Sequence, residues 1–218
     1  MSAEQIIRHL ISEIDLYLGT LSGYGAAAVR TGLSTWKDGP YTPVPAQKTI
    51  LPQELETALK LLRADGHVSL ADAIGDAAGY LKWITYGLYP RDEIGDAFAI
   101  GHSFCSIVGE NSPVAAMDYD LGLFIIKPDL LYRDHQHAAP ELYAPLTGPH
   151  GWRFGKGEGL TWKEAHQPVW NQSYQHHATK TGPNPFLCIF GWTSDTHEAP
   201  SVIVCDDWDK LEHEMPHK

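Results

Sequence analysis

The sequence predicts a mainly β protein, in which an α-helical N-terminal region, residues 1–97, packs on an antiparallel barrel or jelly roll formed by residues 98–218. Two periodicities and one motif carry that reading. Apolar residues recur at helical spacing through the N-terminal region, then near Phe98 the pattern changes to short apolar or alternating runs separated by turn signals. Within those runs, His135, His137 and Glu141 are spaced so that their side chains can share one face.

The first helix opens at Ser2, with Gln5 placed to close a capping box, and carries Ile7, Leu10, Ile11, Ile14 and Leu18 on one stripe before Gly19 ends it. Residues 20–50 are rich in Gly, Thr and Pro, including Gly39-Pro40 and Pro43-x-Pro45, and read as a long surface segment. Its part from Thr20 to Pro45 is a candidate lid. Leu51-Pro52 starts a second helix through Leu55, Leu59 and Leu62, closed at Gly66. Ser69, with Asp72 three residues later, starts a third through Ile74, Ala77, Ala78 and Leu81.

Strands are expected at Phe104–Val108, Leu121–Ile126, Leu130–Tyr132, Glu141–Leu146, Trp152–Phe154, Phe186–Trp192 and Ser201–Val204. Many short, evenly spaced strands indicate closure into a barrel, which removes exposed sheet edges. The polar tail from Trp208 to Lys218 reads as a capping segment or a loose end.

At 218 residues the chain can bury a sizeable core, and 43% hydrophobic with 20% charged residues is an ordinary globular composition. A net charge of −11 without clustered Lys and Arg argues against a nucleic-acid partner. Cys105, Cys188 and Cys205 are an odd, scattered set, which points to reduced thiols and a cytoplasmic location. No basic-then-apolar leader precedes the first helix, and the run Leu121–Ile126 is too short to cross a bilayer, so no membrane partner is expected.

The chemistry concentrates between Tyr132 and Tyr143. Imidazoles two apart on a strand point the same way, and Glu141 can return to that face after the break at Ala139-Pro140. Two nitrogens and a carboxylate oxygen make most of a first-row transition-metal site, and a histidine from a later strand completes it. The candidates are His166, His176 and His177. Adjacent strand residues face opposite ways, so only one of His176 and His177 can point inward.

The spacing His135-x-His137, three residues, Glu141, six residues, Gly148 is that of the first cupin motif. Tyr132 and Tyr143 frame it, and with both present the stretch resembles the cupin dimethylsulfoniopropionate lyases, which split that substrate into dimethyl sulfide and acrylate. The resemblance covers about the last ninety residues well and the helical half in general character. It implies a cupin (double-stranded β-helix) barrel and one divalent transition metal per chain (Fe2+, Zn2+, Mn2+, Co2+ or Ni2+). It further implies a small zwitterionic or carboxylate substrate and a homodimer. In the family the second-motif histidine precedes a proline and a strand ending in tryptophan, which selects His177 ahead of Pro185 and Trp192, with His176 the near rival. Two positions depart from the pattern: Trp170 replaces the glycine two after Pro168, and Asp129 replaces the glycine before the first motif.

The resemblance also implies roles. The metal ligands are His135, His137, Glu141 and His177. Tyr143 is the base that removes the proton α to the substrate carboxylate, since a nearby dication favours the phenolate. Tyr132 binds the substrate or serves as the alternative base. A sulfonium is a soft cation suited to an aromatic face, and Trp192 is its first-choice receptor, with Trp152, Trp162 and Trp170 as others. Three histidines and a glutamate also serve dioxygenases, isomerases and non-catalytic binding cupins, so the ligands alone do not select the reaction.

Overall fold

A computed structural model describes residues 1–216; His217 and Lys218, the end of the polar tail, lie outside the described residues. Four helices come first: α1 (Ala3–Thr20), α2 (Tyr24–Trp36), α3 (Pro52–Ala64) and α4 (Val68–Ala77), followed by the short α5 (Arg91–Ile94) and α6 (Asp96–Ala99). The strands are β1 (His102–Gly109), β2 (Val114–Ala115), β3 (Asp120–Ile126), β4 (Leu131–Gln136), β5 (Glu141–Pro145) and β6 (His150–Arg153). They continue with β7 (Thr161–Lys163), β8 (Val169–Asn171), β9 (His177–Thr181), β10 (Phe186–Trp192) and β11 (Ser201–Val202), before a last helix α7 (Trp208–Glu212).

A six-stranded sheet, β2-β1-β3-β10-β5-β8, faces a five-stranded one, β11-β4-β9-β6-β7, and together they form a cupin barrel. The strand β3 is apolar on both faces because both faces are covered. Leu121, Leu123 and Ile125 join the helices in one core, while Phe124 and Ile126 join the aromatic interior of the barrel. In the same way, β10 sends Leu187 and Ile189 to the helices and Phe186, Cys188 and Phe190 inward.

The capping box of α1 is present, with the Ser2 hydroxyl accepting from the Gln5 N–H and the Gln5 side chain accepting from the Ser2 N–H. Residues 24–36 depart from the expected surface segment by forming α2, which packs on β5 and β8. The glycines that read as loop punctuation are close-approach positions. A Cβ on Gly25 would lie 2.7 Å from the Trp170 ring, and one on Gly32 would lie 2.4 Å from the Tyr119 ring. Val29 and Leu33 are buried along the same face, so this segment is a packed helix on the outside of the sheet and not a lid.

The third expected helix begins at Val68, one residue before Ser69, which lies inside it. Gly66 takes φ +92 and the His67 N–H returns to the Leu62 carbonyl at 3.1 Å, a tight reversal that leaves His67 as the cap.

Behind the five-stranded sheet, Asp134 and Arg153 form a fully buried ion pair. Arg153 also reaches Asp207 at 2.7 Å, and Trp208 Nε1 donates to Asp134 at 2.7 Å, which docks the C-terminal segment. These hydrogen bonds outweigh burial and hold the Asp134 carboxyl below its ordinary range.

Candidate active site

A β-bulge brings the first half of the site together. Tyr132 and His135 are three apart, so plain alternation would put them on opposite faces. The register of β4 against β9 slips between them, and both turn inward with their rings stacked, centroids 3.9 Å apart. Asp134 points the other way, to Arg153. His137 follows at the end of β4, and the chain then crosses to the facing sheet, where Glu141 starts β5.

Of the three later histidines, the structure brings only His177 to this group. It is the register partner of His135 and fully buried, with ring centroids 4.0 Å from His135 and 5.1 Å from His137. His176 faces outward to the Asp134 carboxylate. His166 lies on the helical side, bonded to the Tyr17 hydroxyl at 2.9 Å.

The Nδ1 atoms of the three imidazoles meet backbone carbonyls: His135 with Arg133 at 2.8 Å, His137 with Ala139 at 2.7 Å and His177 with Gln175 at 2.7 Å. A carbonyl only accepts, so each Nδ1 carries the proton and each Nε2 presents a lone pair when the ring is neutral. The Nε2 atoms of His135 and His177 are buried with no hydrogen-bond partner. The ligand atoms of all three lie within 4.8 Å of one another. His137 Nε2 stands 3.0 Å from Glu141 Oε2, and His177 Nε2 stands 3.9 Å from the same oxygen.

Burial, reinforced by the neighbouring imidazoles, holds His135 well below the ordinary histidine range. Burial likewise brings His177 down to about 4. Burial lowers His137 too, but the Glu141 charge outweighs it and the net shift is upward. The unpartnered, neutral nitrogens of His135 and His177, converging with His137 beside a carboxylate, suit a divalent ion, whose donors stand about 3–3.5 Å apart around metal–ligand bonds of about 2.1 Å. The fold and this buried triad can bind a metal.

Beside the triad lies a cavity of about 200 Å³, lined among others by Glu141, Tyr132, Tyr143, Trp192 and Asp120. Drug-sized ligands occupy roughly 300–1,000 Å³, so this volume suits a smaller molecule. Tyr143 is on β5, its ring 6.3 Å from that of His177. Burial, and after it the Glu141 charge, pushes its phenol well above the ordinary range. Tyr132 is raised as well, by burial first, and its hydroxyl bonds that of Tyr89 at 2.7 Å. Trp192 lines the cavity and stacks on His137, centroids 4.8 Å apart. The other tryptophans lie elsewhere: Trp152 is buried against Tyr143 in the interior, Trp170 packs under α2, and Trp162 lies on β7.

The two departures from the motif have structural counterparts. Asp129 stands at φ +55, a left-handed position where glycine is the usual residue and aspartate is tolerated. Trp170 fills the slot left by Gly25. Gly148, by contrast, is required by space, since a Cβ there would lie 2.5 Å from the Ala165 backbone nitrogen.

Several pocket residues carry no sequence signal. Tyr86, Tyr89 and Phe98 come from the segment before β1 and wall the interior. His102 fixes that wall, since its Nδ1 donates to the Phe98 carbonyl at 2.6 Å and its Nε2 accepts from the Tyr86 N–H at 2.8 Å. Gly122 opens the floor, because a Cβ there would lie 2.6 Å from the Phe190 ring. Asp120 opens an otherwise apolar strand, and Asn171, fully buried, is the register partner of Glu141.

A cupin barrel whose interior holds three histidines, a glutamate and two tyrosines beside a small cavity places the chain among cupins with a site able to bind a metal. The dimethylsulfoniopropionate lyase family model matches residues 34–188, and the chain belongs to that family. It is therefore a carbon–sulfur lyase. The dimethylsulfoniopropionate lyase DddQ of Ruegeria pomeroyi is 27% identical over 169 residues, covering 74% of this chain and 77% of that protein. The crystal structure of that DddQ superposes with a TM-score of 0.66 at 22% identity, covering 93% of this chain and 97% of the other. A crystal structure from work on the lyases RdDddP and RnDddQII gives a TM-score of 0.70 at 20% identity, covering 93% and 100%. At those identities the superpositions establish the fold. Among the described residues no helix is long and apolar enough to cross a membrane.

Proposed function

We propose that the chain cleaves dimethylsulfoniopropionate by β-elimination, with His135, His137, His177 and Glu141 holding one divalent ion and Tyr143 acting as the base. The observation that carries this reading is the convergence of two orphaned, buried Nε2 atoms, on His135 and His177, beside His137 and the Glu141 carboxylate, with a phenol on the same strand as that carboxylate. The set of imidazoles and a carboxylate accepts Fe2+, Zn2+, Mn2+, Co2+ or Ni2+. A divalent ion bound there supplies positive charge that polarises the substrate carboxylate and favours the Tyr143 phenolate.

Tyr143 then takes the proton from the carbon α to the carboxylate. The electrons of that C–H bond form the Cα–Cβ double bond, and the Cβ–S pair leaves with sulfur, so the sulfonium departs as neutral dimethyl sulfide and acrylate remains. Tyr132 is the poorer base, because its hydroxyl is engaged with Tyr89 and its ring is held between Phe98 and His135. It serves to shape and bind the substrate, and Trp192 offers an aromatic face to the sulfonium.

The test is headspace dimethyl sulfide from protein loaded with each ion in turn, alongside Tyr143→Phe. Loss of the base should lower turnover by roughly 100-fold or more at unchanged ion content. Wild-type turnover in Tyr143→Phe would overturn the base assignment.

A further inference from the structure

We infer that Asp120 is the counter-charge of the substrate's cationic end and makes the site select an onium group over a neutral one of the same shape. The inference rests on the reading that the carboxylate end of the substrate sits at the Glu141 side of the cavity.

In the register of the six-stranded sheet, Trp192 pairs with Asp120 on one side and with Glu141 on the other. Residues directly opposite in an antiparallel ladder share a face, so Asp120, Trp192 and Glu141 form one inward row, and all three line the cavity. Two strand spacings, about 10 Å, separate the backbones of the two acidic residues. A three-carbon acid with an onium group on its third carbon spans about 5 Å between its charged ends, counting carbon–carbon bonds of about 1.5 Å. Such a molecule bridges the row with one contact at each end.

The carboxylate of Asp120 is built to face a ligand. Its Oδ2 accepts from the Ser106 hydroxyl at 2.9 Å, while its Oδ1 is shielded from water and has no partner. Room for Oδ1 depends on Gly109, where a Cβ would lie 2.9 Å away. The same cavity is lined by Phe104, Phe124, Phe190 and Trp192, which give an onium aromatic faces, and Trp192 is the register partner of Asp120. Burial raises the Asp120 carboxyl to about 7, the cost of an acidic group without a counter-charge. An onium beside it relieves that cost, whereas a neutral group leaves it in place.

The experiment compares two isosteric acids, 3-(trimethylammonio)propionate and 4,4-dimethylpentanoate, by titration calorimetry on the metal-loaded protein. The wild type should bind the cation more tightly by roughly tenfold or more, a fraction of the roughly thousandfold that a charge pair about 4 Å apart gives at an effective dielectric of about 20, because stripping water from the onium offsets the rest. Asp120→Asn should remove most of that ratio by weakening the cation alone, and Asp120→Glu should retain part of it. If Asp120→Asn fails to fold, Asp120→Thr, suited to a strand, is the second charge-free variant. A wild type without the preference, or a charge-free variant with the wild-type ratio, overturns the inference even if dimethyl sulfide is released. A ratio that depends on Asp120 supports it even if no dimethyl sulfide appears, in which case the proposed reaction fails and the subsite stands.

Discussion

His102 offers a way to measure how firmly the pocket wall is held. Its ring is buried, stacked on Phe98 at 4.1 Å, and bonded at both nitrogens to the backbone of the wall segment, as the donor to Phe98 and the acceptor from Tyr86. That arrangement needs the neutral ring, and burial lowers the group to about 4 from an ordinary 6.5. The unfolded chain therefore takes up the proton first, so the stability this residue contributes is complete above pH 6.5 and is lost as pH falls toward 4. At 1.36 kcal/mol per unit the full loss is about 3 kcal/mol, of which about 2 kcal/mol has gone by pH 5. Asp120, raised to about 7, works in the opposite direction over part of the same range, so the wild type's own pH profile mixes the two. His102→Gln separates them. Gln can still accept from Tyr86 but cannot titrate, and losing the bond to Phe98 costs about 1–3 kcal/mol at pH 7.5. In urea unfolding with a chelator present, the gap between wild type and variant should narrow by about 2 kcal/mol from pH 7.5 to pH 5. An equal gap at both values would show that the ring is not held neutral, and the account of the wall would fail.

The other expectations concern the two sides of the five-stranded sheet. His177→Ala should lower affinity for the divalent ion by roughly 100-fold or more, while His176→Ala keeps ion content near the wild-type level. Equal losses by metal analysis would reject the choice between these neighbours. Asp134→Asn leaves the Arg153 guanidinium buried with only Asp207 to balance it, and should cost about 3–5 kcal/mol in urea unfolding. An unchanged midpoint would mean that the pair contributes nothing to the docking of the C-terminal segment.

The architecture is legible where one face of an element is apolar. Ile7, Leu10, Ile11, Ile14 and Leu18 announce α1, and the alternation within β10 follows from having helices on one side and the aromatic interior on the other. Helix α2 is hidden because its close contacts are made by Gly25 and Gly32, residues that in isolation weaken a helix by about 1 kcal/mol each. Their use becomes clear only once Trp170 and Tyr119 are in place. Strands β7 and β8 escape notice because three residues are too few to display a period.

The same reasoning explains which parts of the site the sequence exposes. His135, His137, Glu141 and Tyr143 lie on one continuous stretch, so their spacing reports their geometry, and even there the bulge between Tyr132 and His135 is invisible until the strands pair. Asp120 becomes a neighbour of Glu141 only through Trp192, on a strand between theirs, and Tyr89 meets Tyr132 only when the wall segment folds into the barrel mouth. Those remote partners set the electrostatics. Burial raises both phenols and leaves the Asp120 carboxyl near 7, so the cavity by itself disfavours the phenolate on which the elimination depends. The opposing influence has to be a positive charge beside the phenol, and the backbone carbonyls that fix the three Nδ1 protons leave the Nε2 lone pairs aimed where that charge would be held. In the proposed mechanism, base and ligand set are thus two halves of one electrostatic balance, and removing the ion should silence Tyr143 without touching it.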